Sequence, residues 1–271
     1  MIKKAAGALA APEKKKSHPL PVRTQAFLPL LLVLLCCVYT AGPGNTISVL
    51  AAKRELPIYC VDRDDNKIAI SFDASWGGDK TLQILDILDR YDVKTTFFLV
   101  DIWTQKYPDL VKEILARGHE IGNHSLTHAH MSKLDQQGVI KELSGMADGL
   151  EKVAGIRPTL FRPPYGEYND LVVTTARTQG YEVVQWSVDS QDWKNRGAQD
   201  IVTRATKVQS GDIILFHNDS EYIVQALPEV LNYYLKNGYN VVPVSEILLT
   251  GETQIDVQGR QRPLSTKIPE V

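Results

Sequence analysis

The sequence predicts an α/β fold, a sheet of about seven parallel strands joined by helical crossovers and closed into a barrel. Three observations predict it. Seven short apolar runs of strand type alternate with stretches of helical period. Gly118, Gly180 and Gly238 each stand just past a helical stretch, where a residue of positive φ ends a helix most easily. No glycine-rich dinucleotide fingerprint comes after the first strand, which favours a barrel over an open, doubly wound sheet. Hydrophobic residues make up 44% of the 271 positions and charged residues 23%, a balance that excludes wholesale disorder and leaves enough apolar side chains for a sizeable core.

Residues 1–25 carry a net charge of +5 against −7 for the rest. Residues 26–41 contain the apolar run FLPLLLVLLCCVY, a signal-peptide core or a membrane anchor. Basic residues ahead of such a run place the N-terminus in the cytoplasm and send the remainder of the chain outside. The expected location is therefore extracytoplasmic, with the chain either anchored in a membrane by this segment or secreted. With −2 net charge overall, no basic footprint for nucleic acid is present, and nothing in the sequence calls for an obligate protein partner. Cys36 and Cys37 lie in the apolar run, and Cys60 alone comes after it, so the exported part forms no internal disulfide.

A linker spans 42–56, a single catalytic-type domain 57–250, and a polar, proline-punctuated tail 251–271, expected to be surface-bound or loose. Strands are predicted over 68–72, 95–100, 119–122, 159–161, 181–188, 212–216 and 239–244. Between residues 79 and 91, Leu82, Leu85 and Leu88 share one helical face. Between 132 and 154, Ile140, Leu143, Ala147, Leu150 and Ala154 do the same, with Ser132 as the expected N-cap.

Ionisable side chains gather where a barrel puts its active site, at the strand C-termini. The first strand ends in Ser71-Phe72-Asp73, the third runs into His124-Ser125-Leu126-Thr127-His128, and the fourth into Arg162-Pro163-Pro164-Tyr165-Gly166. The fifth ends in Asp189-Ser190-Gln191-Asp192-Trp193 and the sixth in Leu215-Phe216-His217. Four of the six histidines fall between His119 and His130. His124 and His128 are four apart, so one helical turn would place both imidazoles on one face, a donor pair suited to a divalent metal, above all zinc. His119 and His130 read as ordinary surface or supporting residues. Asp73 and His217 read as base and acid around a metal-activated water. Asp189 and Asp192 are candidates to bind metal, to orient His217 or to cap a helix. Trp193 and Trp76, the latter beside Gly77 and Gly78, are placed as a sugar platform or as core.

The set SFD, HSLTH, RPPYG, DSQDW and LFH, in this order and spacing, resembles the five motifs of the polysaccharide deacetylases, the carbohydrate esterase family 4 or NodB-homology domain. The resemblance runs from about Lys67 to Leu249. The anchor and the SFDASWGG stretch are most similar to the sporulation-associated deacetylases of Gram-positive spore formers. The resemblance implies a distorted (β/α) barrel and metal-dependent removal of acetyl groups from amino sugars of a cell-wall glycan. It implies Asp73 as general base, held by Arg162, and His217 as general acid, oriented by Asp192. It implies metal ligation by His124 and His128, an oxyanion contact from the backbone N–H of Tyr165, and substrate contacts from Trp193, Leu215 and Pro163. In this family a second aspartate commonly stands directly after the first and completes the metal site; here that position is Ala74. Three expectations arise: a weakly bound zinc, cobalt or other divalent ion with extra waters, substitution by another carboxylate such as Asp79, or a catalytically silent glycan binder.

Overall fold

The computed structural model describes residues 54–264. The chain enters through β1 (Cys60–Val61) and builds β2 (Lys67–Ala74), which is laid against β3 (Thr96–Leu99) on one side and, further along the chain, β8 (Ile213–His217) on the other. From β3 the sheet continues through β4 (Glu120–Asn123), β5 (Leu160–Phe161) and β6 (Glu182–Val183), and from β8 to β7 (Val188–Asp189). β9 (Asn240–Val242) pairs with the first residues of β2. Every pairing in this sheet is parallel.

The sheet has eight strands where the sequence predicts about seven, because β6 and β7 are the two ends of one predicted run. β6 pairs with β5 and β7 pairs with β8. Between them Gln185 N–H turns to the carbonyl of Ile58 at 2.7 Å. One bent segment thus links the two edges, and the result is a distorted (β/α) barrel.

β2 shows how the barrel separates core from site. Ile68, Ile70, Phe72 and Ala74 alternate to the outer face and join the large apolar layer under the helices. Ala69, Ser71 and Asp73 face the interior by the same period. Ala69 packs with Val61 and Ile213 in a second apolar cluster that fills the end where the strands start. The opposite end, where they finish, is left to polar side chains.

The crossovers are α1 (Thr81–Arg90), α2 (Asp101–Lys106), α3 (Pro108–Ala116), α4 (Gln136–Ala154), α5 (Asp170–Thr178), α6 (Ala198–Ala205), α7 (Ile223–Lys236) and the short α8 (Val244–Ile247). Two details differ from expectation. α1 buries Ile84, Leu85, Ile87 and Leu88, leaving Leu82 exposed, because the apolar stripe is one position out of the predicted phase. α4 is capped by Asp135, whose carboxylate accepts the Gly138 N–H at 2.8 Å; Ser132 sits in a separate 3-10 turn (Met131–Lys133), divided from the helix by the extended Leu134. Gly118, Gly180 and Gly238 end helical segments with φ of 76°, 85° and 76°.

The stretch from Gly251, expected to be surface-bound or loose, forms a hairpin of β10 (Thr253–Ile255) and β11 (Arg260–Pro263), with β11 pairing to β1 in parallel. Gln261 is buried there, and its side-chain oxygen accepts the Leu249 N–H at 2.9 Å. Cys60 is buried and forms no disulfide among the described residues. The basic segment, the apolar run with Cys36 and Cys37, and most of the linker lie outside the described residues. Among the described residues no helix is long and apolar enough to cross a membrane.

Candidate active site

A cleft of about 700 Å³ opens at the C-terminal ends of the strands and is walled by Asp73, His124, His128, Tyr165, Leu215 and His217, among others. Its centre is set by strand register. Asp73 on β2 and His217 on β8 are direct partners, so their side chains leave the sheet side by side on one face. Leu215, two residues before His217, shares that face and forms part of the wall.

Each of the two is backed by a buried opposite charge. Arg162, fully buried, donates from Nη1 to Oδ1 of Asp73 at 2.7 Å and from Nη2 to the Gln185 carbonyl at 3.1 Å. Its guanidinium lies 4.1 Å from the centroid of the Phe98 ring. Asp192, 1% exposed, accepts Nδ1–H of His217 at 2.7 Å on one carboxylate oxygen and the His217 backbone N–H at 2.8 Å on the other. A carboxylate only accepts at this site, so the Nδ1 proton is fixed and Nε2 is the nitrogen left for chemistry. Arg162 and Asp192 stand behind the cleft and are positioning residues.

The charges act in opposite senses. Burial alone would push the Asp73 carboxyl up, but the fields of His124, Arg162 and His217 and the Arg162 hydrogen bond together hold it below its ordinary value. Burial alone would push the His217 imidazole down; the hydrogen bond and charge of Asp192, with Asp73, outweigh it and hold it above its ordinary value.

The two imidazoles meet differently from expectation. Residues 124–130 form no helical turn; Ser125 and His128 have φ of 76° and 59°. The loop is tied by Ser125 N–H to Asn123 Oδ1 at 2.8 Å and by His128 N–H to Ser125 Oγ at 2.9 Å. Thr127 is fastened through both its N–H and its hydroxyl to the Glu142 carboxylate, each at 2.8 Å. The polar turn residues of HSLTH compete with a helix and win. The rings still converge, with centroids 5.1 Å apart. Nδ1 of His124 contacts the Arg162 carbonyl at 2.7 Å, which requires a proton there and leaves Nε2 with its lone pair, 3.4 Å from Oδ2 of Asp73. Nδ1 of His128 is buried with no partner among the described residues. Burial is the main reason that His124 is held below its ordinary value and His128 at about 4, so both are neutral donors near neutral pH.

This donor chemistry fits a divalent ion held by two imidazoles. Among the described residues no group of three or more His, Cys, Asp or Glu side chains is arranged to hold one. Ala74 is buried in the outer apolar layer, and Asp79 is exposed beyond the cleft wall, so it does not substitute.

RPPYG supplies a tight turn. Tyr165 and Gly166 have φ of 60° and 68°, and a Cβ on Gly166 would meet the Trp186 ring at 3.0 Å. Tyr165 reaches the cleft wall. Pro163, expected to touch substrate, is buried away from that wall; its carbonyl accepts the Gly166 N–H at 3.3 Å, and it shapes the turn. Trp193 is on the wall and 54% exposed. Asp189 also lines the cleft, but its carboxylate accepts the Gln191 N–H at 2.8 Å and leaves His217 to Asp192. His119 is not a surface residue: it is buried and accepts the Thr95 N–H on Nδ1 at 3.2 Å. His130 is exposed, stacked on Tyr165 and paired with Glu167.

Trp186, Asn195 and Asp219 line the cleft without being predicted from the sequence. Asp219 stands two residues past His217, so the strand-end rule reaches it. Trp186 lies in the bend between β6 and β7, which no periodicity announces.

The fold and site together define a (β/α) barrel with a polar cleft at the C-terminal ends of its strands. A polysaccharide deacetylase family model matches residues 61–184. A peptidoglycan-N-acetylglucosamine deacetylase of Bacillus cereus is 40% identical over 194 residues, covering 69% of this chain and 91% of that protein. The peptidoglycan-N-acetylmuramic acid deacetylase PdaC of Bacillus subtilis is 36% identical over 189 residues, 69% of this chain and 40% of that one. A CE4 family pseudoenzyme from Bacillus anthracis superposes with a TM-score of 0.69 at 29% identity, covering 71% of this chain and 69% of its own. The chain belongs to the polysaccharide deacetylase family. Metal dependence is general in this family.

Proposed function

We propose that this chain hydrolyses N-acetyl groups of amino sugars in a cell-wall glycan, peptidoglycan or a chitin-like oligosaccharide, with Asp73 as base and His217 as acid. The observation that carries this is the side-by-side placement of Asp73 and His217, each backed by a buried charge of opposite sign. Asp73 takes a proton from the water that attacks the acetamide carbonyl. The backbone N–H of Tyr165 stabilises the tetrahedral oxyanion. The C–N bond breaks as His217 gives its Nε2 proton to the leaving amine, and acetate and a free amino sugar result. Leu215 and Trp193 wall the acetyl methyl. A divalent ion, zinc or cobalt, held by His124 and His128 would supply water activation and carbonyl polarisation. The basic and apolar N-terminal segments support an extracytoplasmic, membrane-anchored or secreted location.

Ala74 supports a second reading, a catalytically silent glycan binder. The test is acetate release by the full chain from N-acetylglucosamine oligomers and from peptidoglycan, with zinc, cobalt or a chelator. Acetate release with metal and none with chelator is expected. Glycan binding without acetate under every condition decides for the binder. Ala74→Asp supplies a third donor only if the strand end turns that side chain from the apolar layer towards the imidazole pair, and zinc binding in calorimetry then tightens. Because Ala74 is packed in the apolar layer, the same change should cost the metal-free protein about 3–5 kcal/mol in denaturant unfolding at neutral pH. Unchanged zinc affinity would mean that the new carboxylate does not reach the ion.

A further inference from the structure

We infer that Trp76 is a specificity-determining residue that stacks a second sugar ring, so that the cleft takes a glycan chain rather than a single N-acetylated sugar. The inference rests on reading the cleft as a glycan site and adds which residue measures the length of the glycan.

The starting point is an apolar side chain kept in water on a backbone that is not free to move. Trp76 is 60% exposed and lies on the cleft wall. The residue after it is pinned from three sides. Gly77 carbonyl accepts Nε1–H of the buried Trp103 at 2.8 Å and Nδ2–H of the buried Asn218 at 2.8 Å, while its N–H donates to Oδ2 of Asp219 at 3.3 Å. The two glycines let the loop sink this far. A Cβ on Gly77 would meet Cβ of Asp219 at 2.9 Å, and one on Gly78 would meet Leu110 and Tyr107 at 3.0 Å. The contrast with Trp103 is informative: that indole, 1% exposed, is used to build the loop, whereas the indole of Trp76 is held out by it.

The position matches a ring next to the one that reacts. The Trp76 ring lies 5.7 Å from the His128 ring, edge to face, and His128 in turn meets Tyr165 at 4.3 Å. Trp193 lies on the same wall beside Asp192, which holds His217; the Trp193 backbone N–H donates to the Asp192 carboxylate at 2.9 Å. Exposed aromatic faces therefore flank the reacting pair from the imidazole side and from the acid side, in a cleft of about 700 Å³, a size that takes drug-sized ligands. A pyranose presents an apolar face of C–H groups and a rim of hydroxyls. A rigid indole covers the first and leaves the second in water, at little cost in side-chain entropy.

The test compares the full chain with Trp76→Ala and Trp76→Phe by calorimetric titration with N-acetylglucosamine and its dimer, tetramer and hexamer, alongside acetate release from the same series. Trp76→Ala is expected to weaken binding of the dimer and longer oligomers about five- to tenfold, with Trp76→Phe recovering most of it. The ratio of oligomer to monomer kcat/KM should fall by a similar factor, carried by KM. Equal losses for monomer and oligomers, or unaltered oligomer affinity in Trp76→Ala, would overturn the assignment. Binding separates this from the deacetylase reading. If the wild-type chain releases no acetate yet loses oligomer affinity on Trp76→Ala, the sugar contact stands and the catalytic reading falls.

Discussion

Asp73 with Arg162 and His217 with Asp192 are the same device built with opposite signs. In each, a side chain at the end of a barrel strand faces the cleft and a charge from another loop stands behind it, 2.7 Å away and at most 1% exposed. Only the sign of the hidden partner differs. A cation behind a carboxylate favours its ionised form; an anion behind an imidazole favours its protonated form. The proposed roles of base and acid thus follow from which residue stands behind each side chain. The two pairs differ in one further respect. Arg162 is held by the Asp73 carboxylate, a carbonyl and aromatic rings, with its Nε unpartnered among the described residues, whereas Asp192 fastens both the ring and the backbone of His217.

The largest effect is expected from removing the proposed base. Asp73→Asn keeps the shape and an acceptor for Arg162 but removes the proton acceptor. It should lower kcat/KM for acetate release by about 10²–10⁴-fold, with circular dichroism unchanged. Retention of more than a tenth of the activity would show that the carboxylate is not the base. Next is the cation behind it. Arg162→Met leaves the Asp73 carboxylate buried with its main partner gone, and should cost about 3–5 kcal/mol in urea unfolding at neutral pH. Since Asp73 is held below its ordinary value, its ionised form stabilises the fold above the ordinary carboxylate range, and that contribution fades as pH falls through the folded value. Without Arg162 the loss should set in at higher pH. A penalty under about 1 kcal/mol would mean that the two pairs are not equivalent.

How much of this is legible in the sequence depends on the distance over which each feature is decided. The barrel strands and the five strand-end motifs are legible because period-2 alternation and turn residues are local signals, and a parallel barrel sends all strand C-termini to one side. Asp73, His124, His128, Arg162, Asp192 and His217 are accordingly where the strand-end rule puts them. The register that makes Asp73 and His217 partners is decided by long-range pairing of β2 with β8, and only the structure displays it. The helical turn expected for His124 and His128 fails because Asn123, Ser125 and Thr127 offer side-chain hydrogen bonds that a spacing rule ignores. Pro163 is buried off the cleft wall, because a motif shows which residues share a turn but not which of them point outward. The C-terminal hairpin reads as a loose tail since its strands alternate weakly, and its place is set by pairing with the distant β1.

The smallest effect, and the sharpest on the comparison, belongs to Asp192→Asn. The amide has one acceptor and one donor where the carboxylate has two acceptors, so either the ring N–H or the backbone N–H of His217 loses its partner. The charge that raises the imidazole is gone while the burial that lowers it remains, so its value must fall. In the wild type the alkaline limb of kcat/KM, if it marks deprotonation of the proposed acid, should lie above the ordinary histidine value of about 6.5. In Asp192→Asn it should move to lower pH, so that the loss is greater at pH 8 than at pH 6, while the acid limb, set by Asp73, stays in place. Stability should change with the same sign. A raised imidazole stabilises the fold below its unfolded value, and the contribution is lost as pH rises through the folded value; the variant should therefore unfold more readily than wild type at pH 6 and converge with it at high pH. A drop in rate that is equal at every pH, with the alkaline limb unmoved, would reduce Asp192 to a scaffold residue and break the symmetry between the two pairs.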